Sequence, residues 1–346
     1  HWMVHSFPTR RSSDLFPAGD VIGHLLEMDL KVKAAEEIDK ALGAIYSQAT
    51  SLGRTLIITA DHGLMERGFS DEGTPSVSHT TAPVPFIVVN PRLGKGDIIR
   101  DGCSLVDVAP TVLSLMGMRK PEEMTGRSLL KRVPVSSGVV LVILDGWGEG
   151  SDDPSINPLK AASTPNLDFL KREFPFTRLK ASEEYVGLPH GRSGNSETGH
   201  LTIGAGRLIE QDELRLMRVI ERRFEDNPVL ERVLNGVKGG ASLHLIGMLS
   251  EASSHGNINE ILSISKVAES KNIERIFSHL ILDGRSAPPR SAVDLLEKYR
   301  EELGKTEVVT AVGRGYALDR SKDYTGKTKT VYDALVEGKG ECYYGL

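Results

Sequence analysis

The chain has 346 residues, long enough for two domains and a sizeable core. Its net charge of −5 leaves no electrostatic footprint for nucleic acid, and no run approaches the roughly eighteen apolar residues of a membrane span. Its 2 cysteines, Cys103 and Cys342, lie far apart without a CxxC, which excludes a disulfide framework and a thiolate metal site and fits a reducing cytoplasm.

Residues 1 to 15, HWMVHSFPTRRSSDL, have neither the apolar centre of a secretory signal nor a helical period. SFPTRRSSDL resembles translated sequencing-adapter DNA, so this stretch is expected to be an artefactual or disordered leader outside the fold. From Phe16 the pattern becomes protein-like. Asp20 and His24 stand four apart in GDVIGH, and Val32, Ala35, Ile38, Leu42 and Ile45 follow at helical spacing with charges between them. The spacing predicts an amphipathic helix laid on a sheet. Asp20 and His24 would precede it, on a loop leading in from a strand whose own sequence is missing. A helix cap is the plainer role for Asp20.

Thr55 to Gly63, TLIITADHG, is a β-branched apolar run ending in an Asp-His pair and a glycine. It reads as a buried strand of an α/β sheet, which puts Asp61 and His62 at its carboxyl end, where open α/β sheets bind ligands. A carboxylate beside an imidazole suits a borderline divalent ion such as Mn²⁺ or Zn²⁺, since one supplies charge and the other a nitrogen donor. Ordinary loop polarity is the competing reading. Val84 to Val89 predicts another strand, with Pro85 demoting it to a sheet edge or marking its opening position. His79 lies just upstream among small hydroxyl residues. Ser104 to Met116 reads as a helix with Pro110 near its first turn, and Lys131 to Gly138 has the composition of a connector.

Val139 to Leu144, VVLVIL, is the cleanest buried strand, and it ends in Asp145-Gly146-Trp147-Gly148. The layout repeats TLIITADHG, so two strands would each deliver an aspartate to one carboxyl edge, strengthening a shared metal site over a turn-capping role for Asp145. In Gly191 to Arg207 the glycines permit a tight turn before a helix, placing Ser196 at or near its N-terminus with free N–H groups facing an anion. Such a serine is a nucleophile activated by a metal or, more commonly, an N-cap. Beyond about Glu210 the pattern restarts, with a charged helix at Glu213 to Arg223 and strands at Ser242 to Leu249, Ile276 to Leu282 and Val308 to Val312. Polar residues follow each strand, and Arg285, Arg314 and Arg320 repeat at those ends. Guanidiniums so placed suggest a cradle for phosphate or carboxylate.

DGWG at Asp145, SGNSETGHLTIGAGR at Ser193, SEASSH at Ser250, DGRSAPP at Asp283 and GRGYALDR at Gly313 resemble, in family order, the N-terminal half of the cofactor-independent phosphoglycerate mutases. GDVIGH at Gly19, TADHG at Thr59, SHTTAPVPF at Ser78 and EEMTGRSLL at Glu122 resemble the C-terminal part of that family. The family's C-terminal piece thus comes first, and its middle stretch has no counterpart. This order reads as the seam of a tandem copy or an assembly error. The resemblance implies an alkaline-phosphatase-like α/β sheet with helices on both faces, assembled from two permuted segments at 16–130 and 139–210, joined by a linker at 131–138. A partial α/β substrate-binding domain would follow at 211–346.

Carried over from the family, Asp20, His24 and His79 resemble the ligand set of one Mn²⁺, and Asp61, His62, Asp145 and Ser196 that of a second; Zn²⁺ is the other candidate ion. Ser196 would take the phosphoryl group of phosphoglycerate as phosphoserine, and glycerate would take it back on its other hydroxyl. Two metals roughly 4 Å apart would stabilise that transfer. His255, Arg285, Arg314 and Arg320 match substrate-binding positions. Three positions depart from the pattern: Ser286 replaces an aspartate that serves proton transfer, Asn257 replaces a histidine, and Leu64 replaces an asparagine. The expectation is a cytoplasmic, monomeric isomerase acting on phosphoglycerate, without nucleic-acid or membrane partners. A metal-dependent phosphomonoesterase of the alkaline-phosphatase superfamily and an inactive composite are the other two readings.

Overall fold

The two apolar runs that end in aspartate lie side by side. β2 (Thr55–Thr59) and β4 (Val139–Leu144) pair in parallel, with Thr55 opposite Val139 and Thr59 opposite Ile143. This was found in a computed structural model, which describes residues 12–70, 73–99, 101–223, 226–237, 240–251, 253, 255–319 and 321–341. The chain divides into two units, His1–Leu214 and Arg215–Leu346.

The first unit holds a five-stranded sheet in the order β1-β4-β2-β3-β5, completed by β1 (Ser12–Phe16), β3 (Val84–Val89) and β5 (Phe176–Leu179). Every residue of β2 and β3 is buried, so both faces of the sheet centre are covered. After the short α1 (Ala18–Gly23), α2 (Met28–Ser51) buries Ala35, Ile38, Leu42 and Ala49 at three-to-four spacing, the predicted amphipathic stripe. Asp39 on α2 is also buried, because its carboxylate accepts the Asn166 and Leu167 amides at 3.1 and 2.7 Å. Those amides open α5 (Pro165–Glu173), a few residues after the single turn α4 (Pro158–Ala161), so one carboxylate fastens two helices. α3 (Val108–Leu115) has Pro110 in its first turn, where a missing N–H costs nothing. α6 (Ser196–Ala205) closes this unit's site, and α7 (Asp212–Arg223) leads onward.

One expectation is corrected, and one pair of alternatives is decided. Residues 1 to 15 do not all lie outside the fold: Ser12–Phe16 forms β1, parallel to β4, with Ser12 opposite Val140 and Phe16 opposite Leu144. A parallel ladder is made by backbone groups, and β4 has no other neighbour on that side. The chain therefore does enter from a strand, but Asp20 lies in the first turn of α1 rather than on a loop. Residues 1–11 lie outside the described residues. Nor is β3 an edge strand, since β5 pairs along its outer side with Val84 opposite Leu179. Pro85 is tolerated as the second residue of the strand, the opening position.

In the second unit β6 (Leu243–Leu249), β7 (Ile276–Leu282) and β8 (Glu307–Gly313) form a parallel sheet in that order. Its helices are α8 (Pro228–Gly236), α9 (Ile258–Ser270), α10 (Ala292–Tyr299), the single turn α11 (Arg314–Ala317) and α12 (Lys329–Glu337). Ile258, Ile261, Leu262 and Ala268 of α9 pack with Leu243, Leu245, Ile276 and Leu280 into a core of its own. Among the described residues no helix is long and apolar enough to cross a membrane.

Candidate metal centre

Because β2 and β4 run in parallel, the residues just past their ends converge. Asp61 and His62 are fully buried and Asp145 nearly so. The Gly146 amide donates to Asp61 Oδ1 at 3.3 Å, and His62 Nε2 lies 3.1 Å from Asp145 Oδ1. Asp20, in the first turn of α1, reaches the same place, with Oδ1 at 3.0 Å from His79 Nε2, 3.4 Å from His24 Nε2 and 3.7 Å from His62 Nε2. All seven residues of the two expected ligand sets thus lie in one cluster.

Backbone carbonyls aim the imidazoles. His24 Nδ1 donates to the Val77 carbonyl at 2.7 Å and His79 Nδ1 to the Gly194 carbonyl at 2.9 Å. The two Nε2 atoms face each other at 3.2 Å, both beside Asp20 Oδ1. Two imidazole nitrogens converging on a carboxylate oxygen make a donor set that a cation can bridge. Donor atoms of Asp20, His24 and His79 form one convergent group, and those of Asp20, His62 and Asp145 a second.

Ser196 is the first residue of α6, and the N-cap role falls to Asn195, whose side chain accepts the Thr198 amide at 3.0 Å. The serine hydroxyl is thereby released from capping. Its Oγ lies 3.2 Å from His62 Nε2 and donates to Asp145 Oδ1 at 3.2 Å. The close approach of α6 depends on Gly199, where a Cβ would sit 2.5 Å from the Asp61 carbonyl oxygen.

The titrating groups sense one another. Burial pushes Asp145 up, reinforced by the neighbouring Asp61 and opposed by His62. Burial also opposes ionisation of Asp61 and Asp20, yet His200 and His62 hold Asp61 below the usual carboxylate range and His79 does the same for Asp20. Burial works against charge on His62, but Asp145 and Asp61 raise it nonetheless, and Asp61 raises His200. One atom is left over: Asp61 Oδ2 is buried without a hydrogen bond. His200 Nδ1 lies 3.2 Å away, but it donates instead to the Ser196 carbonyl at 2.7 Å. An orphaned buried carboxylate oxygen, converging imidazole nitrogens and an Asp/His donor set fit a divalent cation of the Mn²⁺ or Zn²⁺ type.

His200 was overlooked among the candidate residues, although its place one helical turn after Ser196 signals that the two share a face. Glu66 was overlooked as well. It is buried, and burial pushes its carboxyl up against bonds from Thr80 and the Leu64 and Gly148 amides. Leu64 is fully buried against Gly23, where a Cβ would lie 2.6 Å from Leu64 Cδ2.

In the second unit a concavity of about 490 Å³ is lined by His255, Arg285, Arg314, Gly315, Leu318 and Asp319. It lies past the carboxyl ends of the parallel strands, the expected ligand edge. Arg285 is exposed, whereas Arg314 Nη1 donates to the buried Asp283 Oδ1 at 2.8 Å. Asn257 caps α9, accepting the Asn259 amide at 3.0 Å. Arg320 lies outside the described residues.

Burial works against ionisation of Asp283, but Arg314, the Arg285 and Ser286 amides and the Ser250 hydroxyl together hold it well below the usual carboxylate range. A depressed folded-state pKa contributes stability above the unfolded carboxyl value near pH 4 and loses it as pH falls through the folded one. Asp283→Asn is therefore expected to lower the urea midpoint at pH 7 and to flatten its decline between about pH 4 and pH 2. A variant whose midpoint falls with acid as steeply as wild type would contradict this account of Asp283.

Residues 15–120, which include Asp20, His24, Asp61, His62 and His79, match the family model described as the Metalloenzyme superfamily. Residues 217–344 match the model described as the BPG-independent PGAM N-terminus. Over these stretches the chain is similar to the cofactor-independent phosphoglycerate mutases. The 2,3-bisphosphoglycerate-independent phosphoglycerate mutase of Clostridium tetani is 42% identical over 208 residues, which cover 59% of this chain and 40% of that protein. Its counterpart from Myxococcus xanthus is 41% identical over 207 residues, 58% of this chain and 40% of that protein. A solved Leishmania mexicana phosphoglycerate mutase, at low cobalt concentration, shares 30% identity at a TM-score of 0.40, covering 47% of this chain and 32% of that one. The chain spans about two fifths of the length of the curated relatives it matches.

Proposed function

We propose that the first unit carries a phosphoryl-transfer site with Ser196 as nucleophile, and that the chain interconverts 2- and 3-phosphoglycerate through phosphoserine. The observation that carries this reading is the Ser196 hydroxyl, freed from capping at the start of α6 and 3.2 Å from both His62 Nε2 and Asp145 Oδ1. Ser196 Oγ forms a bond to phosphorus as the bond to the substrate oxygen breaks; the serine proton passes to Asp145 Oδ1, water protonates the departing glycerate oxygen, and the reverse exchange restores both when the group returns. The free amides of the first turn of α6 receive the phosphoryl oxygens. Glycerate then takes the group back on its other hydroxyl.

Two divalent cations, Mn²⁺ first and Zn²⁺ next, belong to this reading: Asp20, His24 and His79 would hold one, and Asp61, His62, Asp145 and Ser196 the other. When bound they supply the positive charge that acidifies the hydroxyl and neutralises the phosphoryl oxygens. His255, Arg285, Arg314 and Arg320 bind the substrate's anionic groups. A domain order with the family's C-terminal piece at 16–130, a linker at 131–138, the N-terminal piece at 139–210 and a partial substrate domain at 211–346 is supported by the sequence positions of the two family matches. A cytoplasmic setting and a monomeric state go with this reading.

Ser286 favours a second reading. A serine stands where proton transfer to glycerate calls for a carboxylate, so water in place of glycerate would resolve the phosphoserine and make the chain a phosphomonoesterase. Phosphorus NMR of the Mn²⁺-loaded chain with 3-phosphoglycerate separates the two. Growth of a 2-phosphoglycerate signal supports the mutase, and growth of inorganic phosphate alone supports the esterase. An unchanged spectrum at every metal concentration overturns both and leaves an inactive composite.

A further inference from the structure

We propose that Glu66 is the positioning residue that holds the three ligand-bearing loops in register; this rests on the metal reading of the cluster. Glu66 is only 4% exposed. It belongs to neither convergent donor group, yet its carboxylate is bonded by the loops that carry Asp61 and His62, His79, and Asp145. Oε2 accepts the Leu64 amide at 2.8 Å, just past Asp61 and His62. Oε1 accepts the Thr80 hydroxyl, the residue after His79. The Gly148 amide, three residues past Asp145, also donates to it.

The loops close on this carboxylate because they present no side chains. A Cβ at Gly148 would lie 2.2 Å from Glu66 Oε2, one at Gly63 2.9 Å from Oε1, and one at Gly150 2.7 Å from Cγ. Backbone bonds link the loops in the same place, Thr80 N–H to the Gly63 carbonyl at 2.9 Å and Met65 N–H to the Gly146 carbonyl at 2.9 Å. A buried carboxylate is costly unless its lone pairs are filled. Here they are filled by groups a few residues from Asp61, His62, His79 and Asp145, so the geometry of the donors depends on a residue outside the donor set. Groups that orient metal ligands change affinity about 10- to 100-fold when removed.

The experiment uses the full chain and its Glu66→Gln, Thr80→Val and Thr80→Ser variants. Glutamine keeps the shape but replaces one acceptor oxygen with a donor. Valine removes the hydroxyl, and serine restores it. Mn²⁺ affinity by calorimetry is expected to fall at least tenfold in Glu66→Gln and Thr80→Val, with an altered visible spectrum of the Co²⁺-loaded form, and to return toward wild type in Thr80→Ser. Metal-free hydrogen exchange is expected to quicken together over residues 61–66, 78–82 and 145–150. If Glu66→Gln fails to fold, Thr80→Val with its serine rescue decides. Wild-type affinity and an unaltered Co²⁺ spectrum in the folded variants overturn the proposal. A wild-type chain that takes up no Mn²⁺ overturns the metal reading instead. In that event concerted loosening of the three loops upholds Glu66 as their clasp, and unchanged exchange rejects it.

Discussion

Ser196→Ala is expected to abolish incorporation of labelled phosphate from phosphoglycerate into the protein, with turnover falling by about 10⁴-fold or more, the scale seen when a covalent nucleophile is removed. The variant should fold normally, since Asn195 and not Ser196 caps α6. Among the described residues the Ser196 hydroxyl contacts His62 and Asp145, both of them members of the cluster. Intact-mass and acid-stability measurements on the quenched enzyme report the adduct directly. Phosphate still bound to the alanine variant would move the nucleophile elsewhere, and the whole catalytic assignment with it.

Asp61→Asn is expected to remove the response of the protein to metal. A cation that binds only the folded chain at 100 times its dissociation constant stabilises it by about 2.7 kcal/mol. For a unit of this size that is a rise of roughly 5–10 °C in melting temperature. Asp61 Oδ2 is buried without a hydrogen bond, so the amide removes its charge and its ion pair with His200 Nδ1 at 3.2 Å while keeping its shape. Calorimetric melts with and without Mn²⁺ should then differ by several degrees for wild type and by less than about 2 °C for the variant. Equal shifts in both proteins would show that the cation sits elsewhere.

Much of this architecture is legible in the chain because it rests on long, regular patterns. α2 announces itself through Ala35, Ile38 and Leu42, and the paired strands through TLIITADHG and VVLVIL. The position of Asp61 beside Asp145 follows from parallel pairing of those runs. What stayed hidden depends on partners distant in sequence. β1 is a ladder of backbone groups, which leaves little trace in residue type. β3 is interior because Phe176–Leu179, a segment of only 4 residues, covers its outer side. Glu66 looks like any loop carboxylate until Thr80 and Gly148 close over it. The choice of Asn195 over Ser196 as cap is a one-residue matter of helix phase that motif spacing does not resolve.

The parallel pairing of β2 with β4 also has a consequence during synthesis. On the ribosome, β2 emerges well before the strand that shields its side and before the helix that brings Ser196. At about 5–20 residues per second, the wait between Thr59 and Ser196 lasts on the order of ten seconds. For that interval Leu56, Ile57, Ile58 and the apolar residues of β3 have no finished sheet to enter. A nascent chain in that interval exposes apolar strand residues, the surface through which incomplete folds associate.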